Sequence, residues 1–374
     1  MKKRKILITI DNLGGGGAEK VLITLLNNLS KEKYEIDLFL INNFGIYIKD
    51  IPDWINYNYF FSYPTKRFSL LLTRLIRKIF FIYPRLFYWF KLKKRYDIEI
   101  GFREGYSTKI ILSSINRNST KISWLHTNVE KHNLSKINKK KYFDKLTKID
   151  KIVCVSENVE DVLLRNYPNL KGKTKVIYNP INIEGIVNLG KEDCPEIQND
   201  RIFRLITVGK LDRDKNQSFL IECVKYLKKL KIETKLYILG TGHLEDYLNH
   251  LIIENKLEDN IKLVGFQQNP YKWISKCDLF VFSSIYEGLP TVLIEAMALH
   301  IPIISTYCTG AEEILSDGDY GELSNHDIVV FSNKIKHYLF NSDKQKFDTH
   351  IRLNNFKLNK QIKQIERLFD GLSE

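Results

Sequence analysis

The chain has 374 residues, of which 44% are hydrophobic and 12% are aromatic, so it is long enough for two globular domains of ordinary size. Its 58 basic and 44 acidic residues give a formal net charge of +14, which favours polyanionic partners: nucleic acid, anionic lipid or phosphorylated substrates. The five cysteines form no CxxC pair, which argues against a disulfide framework or a zinc knuckle and favours a reducing compartment.

The N-terminal segment predicts a strand, a glycine loop and a helix in series. The apolar run at 6–10 indicates a buried strand and is too short for a signal peptide. Four glycines follow at 14–17, and an amphipathic pattern begins at Val21. Such a unit binds phosphate, and Gly16 and Gly17 would allow close approach of a ligand. The spacing is not GxGxxG, so a nicotinamide cofactor is poorly supported. A tight turn without a ligand is the alternative.

The stretch 66–95 is basic and apolar, and it contains no acidic residue. Its apolar runs are too short and too charged to span a bilayer, but a basic amphipathic helix with aromatic residues suits a membrane interface. Two alternatives are a pair of packing helices with a basic outer face, and an RNA-binding surface, although no nucleic-acid motif accompanies the charge. The basic residues are Lys66, Arg67, Arg74, Arg77, Lys78, Arg85, Lys91, Lys93, Lys94 and Arg95.

Further strands are predicted along the first half, at 98–101, 121–125 and 151–156. His126 directly follows the second of these. Because ligands of open α/β sheets bind at the carboxyl ends of strands, His126 is a candidate for substrate contact, with a purely structural histidine as the alternative. Ser156 is the expected N-cap of a helix over 157–166. The polar span 183–200 is expected to be an interdomain linker.

The second half restarts the alternation of strand and helix. A strand at 203–208 leads into a loop that carries Gly209, Lys210 and Lys215, and a helix follows from Phe219. A later strand at 261–266 ends in Gly265 and Phe266. Two lysines on a surface loop could simply be solvated, or they could bind an anionic group.

The most informative stretch lies between Glu287 and Glu295. A buried strand, Leu279–Phe282, leads into a loop over 283–290, and a helical pattern starts at Thr291. Helix N-termini leave N–H groups unpaired and attract phosphate, and Pro290 suits the first turn. A strand-to-helix turn with a solvated glutamate at each end is the alternative.

The spacing of Glu287 and Glu295 resembles the Glu-x7-Glu signature of retaining GT-B glycosyltransferases, in particular family 4. Three other segments are similar to that family: the Gly-Gly-Ala-Glu-Lys-Val segment from Gly16, the loop Gly209–Asn216, and the late loop Thr309–Ile314. The family usually has Arg where Lys210 stands, so the bidentate fork is lost while the charge is kept. Ala311 replaces the usual proline.

The resemblance implies a role for each matching residue. Glu287 would bind the donor sugar and steady the positive charge at its anomeric carbon, and Glu295 would bind the ribose hydroxyls. His126 would contact the transferred sugar, and Lys210 and Lys215 would clamp the diphosphate. The implied catalytic residues are Glu287, His126 and Lys215; the implied nucleotide-sugar-binding residues are Gly16, Gly17, Gly209, Lys210, Lys215, Gly265, Phe266, Glu287, Gly288, Leu289, Pro290, Thr291 and Glu295.

The expected fold is α/β of GT-B type, with two Rossmann-like domains facing a cleft and a C-terminal helix that crosses back to the N-domain. The boundaries we expect are an acceptor-side domain over 1–182 with its membrane-facing segment 66–95, a linker over 183–200, a nucleotide-sugar domain over 201–350, and a crossover helix over 351–374.

The expected activity is transfer of a hexose or N-acetylhexosamine, with retention, from a UDP-linked sugar to a lipid-linked saccharide in capsule, exopolysaccharide or O-antigen synthesis. No metal or cofactor is expected, because Asp212-x-Asp214 lies in the lysine loop and positive charge is already supplied there. The expected location is the cytoplasm, at the inner, anionic face of the plasma membrane, with no nucleic-acid partner. A soluble acceptor and a catalytically silent binding module are the alternatives.

Overall fold

The computed structural model describes residues 2–62, 78–80, 82–92, 94–127, 139–197, 202–341 and 348–371. The chain separates into two compact units. The first comprises Met1–Pro180 with Asn359–Glu374, and the second comprises Ile181–Leu358. Each unit is a parallel sheet with helices in the connections between its strands, which confirms the α/β class expected from the alternating pattern.

The first unit contains a seven-stranded sheet in the order β3-β2-β1-β4-β5-β6-β7. Its strands are β1 (Arg4–Ile10), β2 (Tyr34–Asn43), β3 (Asn56–Ser62), β4 (Ile98–Gly101), β5 (Thr120–Leu125), β6 (Lys151–Cys154) and β7 (Thr174–Val176). Its helices are α1 (Gly17–Asn28), α2 (Pro84–Lys91), α3 (Tyr106–Leu112), α4 (Lys139–Leu146) and α5 (Glu157–Asn166), with short 3-10 segments at Ile46–Asp50 and Pro168–Leu170.

The central strand β1 is apolar and buried on both of its faces. It pairs in parallel with β2 on one side and with β4 on the other, and Ile6, Leu7, Ile8 and Ile10 are all fully buried. A continuous apolar run is what a parallel strand between two layers of helices requires. The predicted N-cap is confirmed as well, since the Ser156 hydroxyl accepts a hydrogen bond from the Val159 N–H at 3.2 Å.

The second unit contains a six-stranded sheet in the order β10-β9-β8-β11-β12-β13. Its strands are β8 (Phe203–Val208), β9 (Thr234–Leu239), β10 (Ile261–Gly265), β11 (Leu279–Phe282), β12 (Ile303–Thr306) and β13 (Glu322–Ser324). Its helices are α6 (Ile183–Gly190), α7 (Gln217–Lys229), α8 (Glu245–Glu254), α9 (Tyr271–Ile274), α10 (Thr291–Ala298), α11 (Thr309–Leu315), α12 (Ile328–Asn341) and α13 (His350–Leu353), with a 3-10 segment at Ser316–Gly318.

The expectation that 183–200 is only a linker is wrong, because the segment opens with α6. Asn182 caps this helix through its side chain, which accepts from the Gly185 N–H at 3.0 Å. The helix packs on α9, where the Ser275 hydroxyl donates to the Gly190 carbonyl at 2.6 Å. The polar composition after residue 190 obscured an apolar face that includes Ile183 and Ile186.

The last helix, α14 (Leu358–Asp370), belongs to the first unit from Asn359 onwards. Lys33 pairs with Glu366 at 2.8 Å, and the Arg4 guanidinium donates to the Asp370 carbonyl at 2.9 Å. The rings of Tyr34 and Phe369 meet edge to face, with their centroids 5.8 Å apart. The C-terminal segment therefore completes the fold of the unit in which the chain begins.

Both sheets follow the doubly wound pattern, in which the strand order reverses beside the first strand of the unit. The reversal lies between β1 and β4 in the first unit and between β8 and β11 in the second. Ligands of such sheets bind outside the carboxyl ends of the strands at this point. The loops that follow these four strands are therefore where a site is expected.

Candidate active site

In the second unit, the loops after β8 and β11 are joined by a lysine–glutamate ion pair. The Lys215 ammonium donates to Glu287 Oε1. Two further hydrogen bonds tie the loops together: the Ile285 N–H donates to the Asp214 carbonyl at 2.8 Å, and the Ser283 hydroxyl donates to the Lys215 carbonyl at 2.8 Å. The structure thus brings together two residues that lie 72 positions apart in the sequence.

The Glu287 carboxylate is held in place by polar neighbours. The Ser284 hydroxyl donates to Glu287 Oε1 at 3.0 Å, and the Thr309 hydroxyl donates to the Glu287 carbonyl at 3.3 Å. Burial disfavours the Lys215 ammonium, but the adjacent carboxylate outweighs burial and raises the lysine pKa. Lys215 therefore stays charged over the whole physiological range of pH.

Glycines allow the backbone segments around this ion pair to approach closely. A Cβ on Gly310 would lie 2.7 Å from the Pro290 ring and 2.9 Å from the Gly288 carbonyl, so only glycine lets the start of α11 contact the loop before α10. A Cβ on Gly240 would lie 2.0 Å from the Gly209 carbonyl. These glycines fix the backbone at the carboxyl ends of the strands.

The second predicted lysine, Lys210, has a different environment. Its side chain is exposed, while its carbonyl accepts a hydrogen bond from the buried Gln217 amide at 2.9 Å. The loop is also held by the Lys215 N–H, which donates to Asp212 Oδ1 at 3.2 Å. Asp212 is therefore engaged within the loop.

The remaining predicted donor-site residues lie along the same edge of the sheet. Helix α10 begins at Thr291, as predicted, with Pro290 as its N-cap. Glu295 lies on α10, is buried, and accepts a hydrogen bond from the Tyr271 hydroxyl at 3.4 Å. Gly265 ends β10 with φ of +80°, and its carbonyl accepts from the Gly240 N–H at 2.8 Å. Phe266 is exposed beside it.

In the first unit, the glycine loop after β1 has the expected form. Gly15 has φ of +105°, a conformation that favours glycine. Gly16 is the N-cap of α1, and the Glu19 carboxylate folds back so closely that a Cβ on Gly16 would lie 2.3 Å from Glu19 Oε2. A Cβ on Gly17 would meet no atom within 4 Å, so the helix start is open on that side.

A cluster of titratable side chains lies at the ends of β1, β4 and β5 and at the start of α1. Sequence reasoning singled out only His126 among them, and it included Glu19 only as part of the glycine-loop segment. Glu104 accepts from the His126 N–H at 3.1 Å and from the Thr127 hydroxyl. The Arg103 guanidinium pairs with Glu19 at 3.4 Å. Asp11 follows β1 directly. We call Asp11, Glu19, Arg103, Glu104 and His126 the first-unit cluster.

Burial sets the protonation of two members of this cluster. It lowers the pKa of His126 to about 4, opposed by Glu104 and reinforced by Arg103, so the imidazole is neutral at physiological pH. Burial also raises the pKa of Asp11 to about 6, opposed by Arg103 and reinforced by Glu104 and Glu19. Asp11 Oδ1 and His126 Nε2 are buried, with no hydrogen-bond partner in the described part of the chain.

The sequence placed Asp11 and Glu104 after strands, but it did not show that those strands are neighbours. Asp11 and Glu104 follow strands that flank the reversal of strand order in the sheet, as His126 follows the next strand. Polar residues at such strand ends are candidates for ligand contact. The order of strands was not known from the sequence alone, so nothing singled out these two carboxylates.

Two parallel, doubly wound units, each with charged residues at the reversal of strand order, define a GT-B-type glycosyltransferase fold. Family models support this. Residues 15–184 match the model for Glycosyltransferase Family 4, and residues 195–352 match that for Glycosyl transferases group 1. The chain belongs to glycosyltransferase family 4, and it is a glycosyltransferase.

Curated relatives give the same family. The chain is 32% identical, over 87% of its length and 87% of the relative, to the Campylobacter jejuni N-acetylgalactosamine-N,N'-diacetylbacillosaminyl-diphospho-undecaprenol 4-alpha-N-acetylgalactosaminyltransferase. It is 24% identical to a second C. jejuni α-1,4-N-acetyl-D-galactosaminyltransferase that acts on a diphospho-undecaprenol-linked saccharide, over 89% of this chain and 88% of that one. Relatives of this chain are thus glycosyltransferases of bacterial polysaccharide and lipid-linked saccharide synthesis.

Solved structures agree in fold. The Anabaena protein HepE, crystallised with UDP and glucose, superposes with a TM-score of 0.78 at 18% identity, covering 98% of this chain and 99% of that one. Sucrose-phosphate synthase from Thermosynechococcus elongatus gives a TM-score of 0.79 at 17% identity, covering 99% of both chains.

Two features are absent from the residues that the structure describes. Within that part of the chain no helix has the length and apolar character needed to cross a bilayer. Over the same ranges, no three His, Cys, Asp or Glu side chains are grouped as metal ligands.

Proposed function

We propose that this glycosyltransferase moves a hexose or N-acetylhexosamine from a UDP-linked sugar to a lipid-linked saccharide, with retention of anomeric configuration and without a metal ion. The Lys215–Glu287 ion pair carries the proposal. It puts a cation and a carboxylate on the two loops that flank the reversal of strand order, where a donor with a charged diphosphate and a neutral sugar needs both.

In the proposed chemistry, the positive groups stabilise the diphosphate and the carboxylates bind the sugar and the ribose. As the glycosidic bond breaks, the diphosphate gains negative charge and the anomeric carbon gains positive charge. Lys215, Lys210 and the N–H groups at the start of α10 would stabilise the leaving diphosphate. Glu287 would steady the sugar, and Glu295 would bind the ribose hydroxyls. Without a donor, the two charges of the ion pair compensate one another.

The lipid-linked acceptor is proposed on two grounds. The C. jejuni relatives act on undecaprenol-linked saccharides, and α2 exposes an apolar face. Leu86, Trp89 and Phe90 on α2 are 47%, 56% and 56% exposed, and Ile82, just before the helix, is 56% exposed. We call these four residues the aromatic stripe, after its two rings. On the opposite face, Tyr88 is buried and donates its hydroxyl to Glu99 at 2.8 Å. The helix is thus fixed to the unit by one face and presents the other.

Basic residues beside the aromatic stripe favour an anionic lipid surface as its partner. Arg85 and Lys91 lie on α2, and Lys78 precedes it. Aromatic side chains with neighbouring lysine and arginine are typical of membrane-interface helices, and each basic group contributes about 1 kcal/mol near an anionic leaflet. The predicted basic residues Lys66, Arg67, Arg74, Arg77 and Lys93 lie outside the described residues. We propose that the protein is cytoplasmic and binds the inner face of the plasma membrane peripherally.

A donor screen tests the transfer reaction. Purified protein is incubated with radiolabelled UDP-hexoses and UDP-N-acetylhexosamines and with a polyprenyl-diphosphate-linked saccharide. We expect transfer from one UDP sugar, a product whose anomeric proton shows the donor's configuration by NMR, and an unchanged rate in EDTA. Inversion, or loss of rate in EDTA that added divalent metal restores, would contradict the mechanism. Transfer only to a soluble saccharide would contradict the lipid-linked acceptor.

Vesicle co-sedimentation tests the membrane surface. The wild type should bind vesicles that contain anionic lipid and should bind neutral vesicles more weakly. Replacing Trp89 and Phe90 with Ser should reduce binding by about tenfold, because two exposed aromatic rings that would insert into the lipid interface are lost. Phe340→Ser is the matched control, since Phe340 is 65% exposed but lies on α12 in the other unit. Equal binding by all three proteins, or preferential retention on RNA, would overturn the assignment.

A further inference from the structure

The two carboxylate oxygens of Glu104 accept hydrogen bonds from two consecutive residues that follow β5. Its Oε2 accepts from the His126 N–H at 3.1 Å, and its Oε1 accepts from the Thr127 hydroxyl. Glu104 is 5% exposed, and hydrogen bonds to a buried carboxylate are stronger than those between neutral groups. This carboxylate therefore fixes the backbone that carries the His126 ring.

The segment that carries Glu104 is itself held firmly. The Phe102 N–H donates to the Thr9 carbonyl at 2.9 Å, and the Arg103 carbonyl accepts from the Thr108 hydroxyl at 2.9 Å. Gly105 has φ of +95°, and its N–H donates to the Tyr142 hydroxyl at 2.9 Å. Glu104 thus projects from a rigid turn, which is what a side chain that orients another residue needs.

The His126 ring lies against a fixed neighbour and has one unpaired nitrogen. Its centroid is 5.2 Å from that of the Phe102 ring, and Nε2 is buried with no hydrogen-bond partner in the described part of the chain. A buried ring nitrogen of this kind is available to pair with a substrate hydroxyl.

We propose that Glu104 is a positioning residue for sugar transfer, holding His126 so that Nε2 pairs with a substrate hydroxyl. The inference rests on the proposed function, since it takes the substrate to be a saccharide. It adds to that function a contact through His126 and the residue on which the geometry of that contact depends.

A double-mutant cycle tests whether Glu104 acts through His126. Glu104→Gln keeps the side-chain volume but leaves one acceptor oxygen where the carboxylate has two. We expect kcat to fall about tenfold or more, with the donor KM changed less than about twofold. In the His126→Ala background the same substitution should change kcat less than about twofold, because the group it positions is absent.

Glu99→Gln is the matched control. Glu99 lies on β4, is fully buried, and accepts from Tyr88 and Ser114 instead of from the β5 end. Its effect on kcat should stay the same with and without His126. If Glu104→Gln behaves in this way, so that its effect on kcat adds to that of His126→Ala, Glu104 has only a structural role and the inference is overturned.

Amide hydrogen exchange gives a readout that needs no turnover. Glu104→Gln should speed exchange at His126, measured on a peptide that spans 120–127, and Glu99→Gln should not. Unchanged exchange in Glu104→Gln would overturn the inference even if the wild type transfers sugar. A wild type with no transferase activity towards any UDP sugar, but with this exchange response, would count against the proposed function and leave the contact between Glu104 and His126 in place.

Discussion

The two units place charged residues at the same point of the same kind of sheet, yet they balance the charges differently. In the second unit, Lys215 and Glu287 compensate one another directly. In the first-unit cluster, three carboxylates, Asp11, Glu19 and Glu104, face a single guanidinium, that of Arg103. Two buried polar atoms of that cluster, Asp11 Oδ1 and His126 Nε2, have no partner in the described ranges.

That difference matches the ligands we propose. A site for a diphosphate needs a cation that stays charged, and the pKa of Lys215 is raised. A site for sugar hydroxyls needs acceptors that are held in place and not already satisfied, since unsatisfied buried groups cost stability until a ligand pairs them. Under the proposed function, the second unit would bind the diphosphate of the donor and the first unit would bind sugar hydroxyls. Four substitutions test this contrast.

The largest effect is expected at Glu287. Glu287→Gln removes the carboxylate that would steady the positive anomeric carbon and leaves Lys215 without its counter-charge. We expect kcat to fall about 10²- to 10³-fold, as for loss of one preorganised electrostatic group, in the radiolabelled transfer assay.

Glu322→Gln is the control for this experiment, because Glu322 forms a similar pair with Lys334 at 2.6 Å elsewhere in the same unit. Its rate should stay within about twofold of the wild type. If Glu287→Gln kept the wild-type rate, the ion pair would be a structural feature and the second unit would lose its assigned task.

The two lysines should differ in which kinetic constant they change. Lys215→Met should lower kcat about 10²-fold, because the cation acts on the leaving diphosphate from a fixed position. Lys210→Met should mainly raise the donor KM, about three- to tenfold, since the side chain is exposed and its charge is screened by salt. Calorimetry measures the affinity of each variant for UDP at two ionic strengths. The contribution of the exposed Lys210 to this affinity should be the more sensitive to salt. Identical kinetic profiles for the two variants would show that the paired and the exposed lysine are equivalent.

The contrast between the units also explains what the sequence could predict. Glu287 and Lys215 could be named as candidates, and the start of α10 could be predicted, because the loop-to-helix pattern and the family's spacing are both local in sequence. The parallel sheets followed from apolar runs such as 6–10 and 279–282. The contact between Glu104 and His126 could not be predicted, because it requires the pairing of β4 with β5. Likewise, α6 was missed because its packing on α9 depends on the folded unit.

The smallest effect, and the one that tests the first unit directly, is the stability of Asp11→Asn. The pKa of Asp11 is raised from 3.8 to about 6 in the folded chain, so between these values the folded state binds more protons than the unfolded state. Stability therefore falls as pH rises through this window, by up to about 3 kcal/mol for a shift of this size. Asparagine does not ionise, so the variant escapes this loss. We expect its melting temperature to exceed that of the wild type by a few degrees at pH 8, with the gain shrinking towards pH 4.

Asp97→Asn separates this effect from general loss of charge. Asp97 is also in the first unit, but its carboxylate accepts from the Lys5 N–H at 2.8 Å, so the substitution removes a satisfied acceptor and should lower the melting temperature at pH 8. If Asp11→Asn is more stable than the wild type at pH 8, the Asp11 carboxylate destabilises the wild-type fold. Such a destabilising group is expected at a binding site where a ligand hydroxyl pairs with it. No gain at pH 8 would show that Arg103 already compensates Asp11, and the contrast in charge balance between the two units would then be lost.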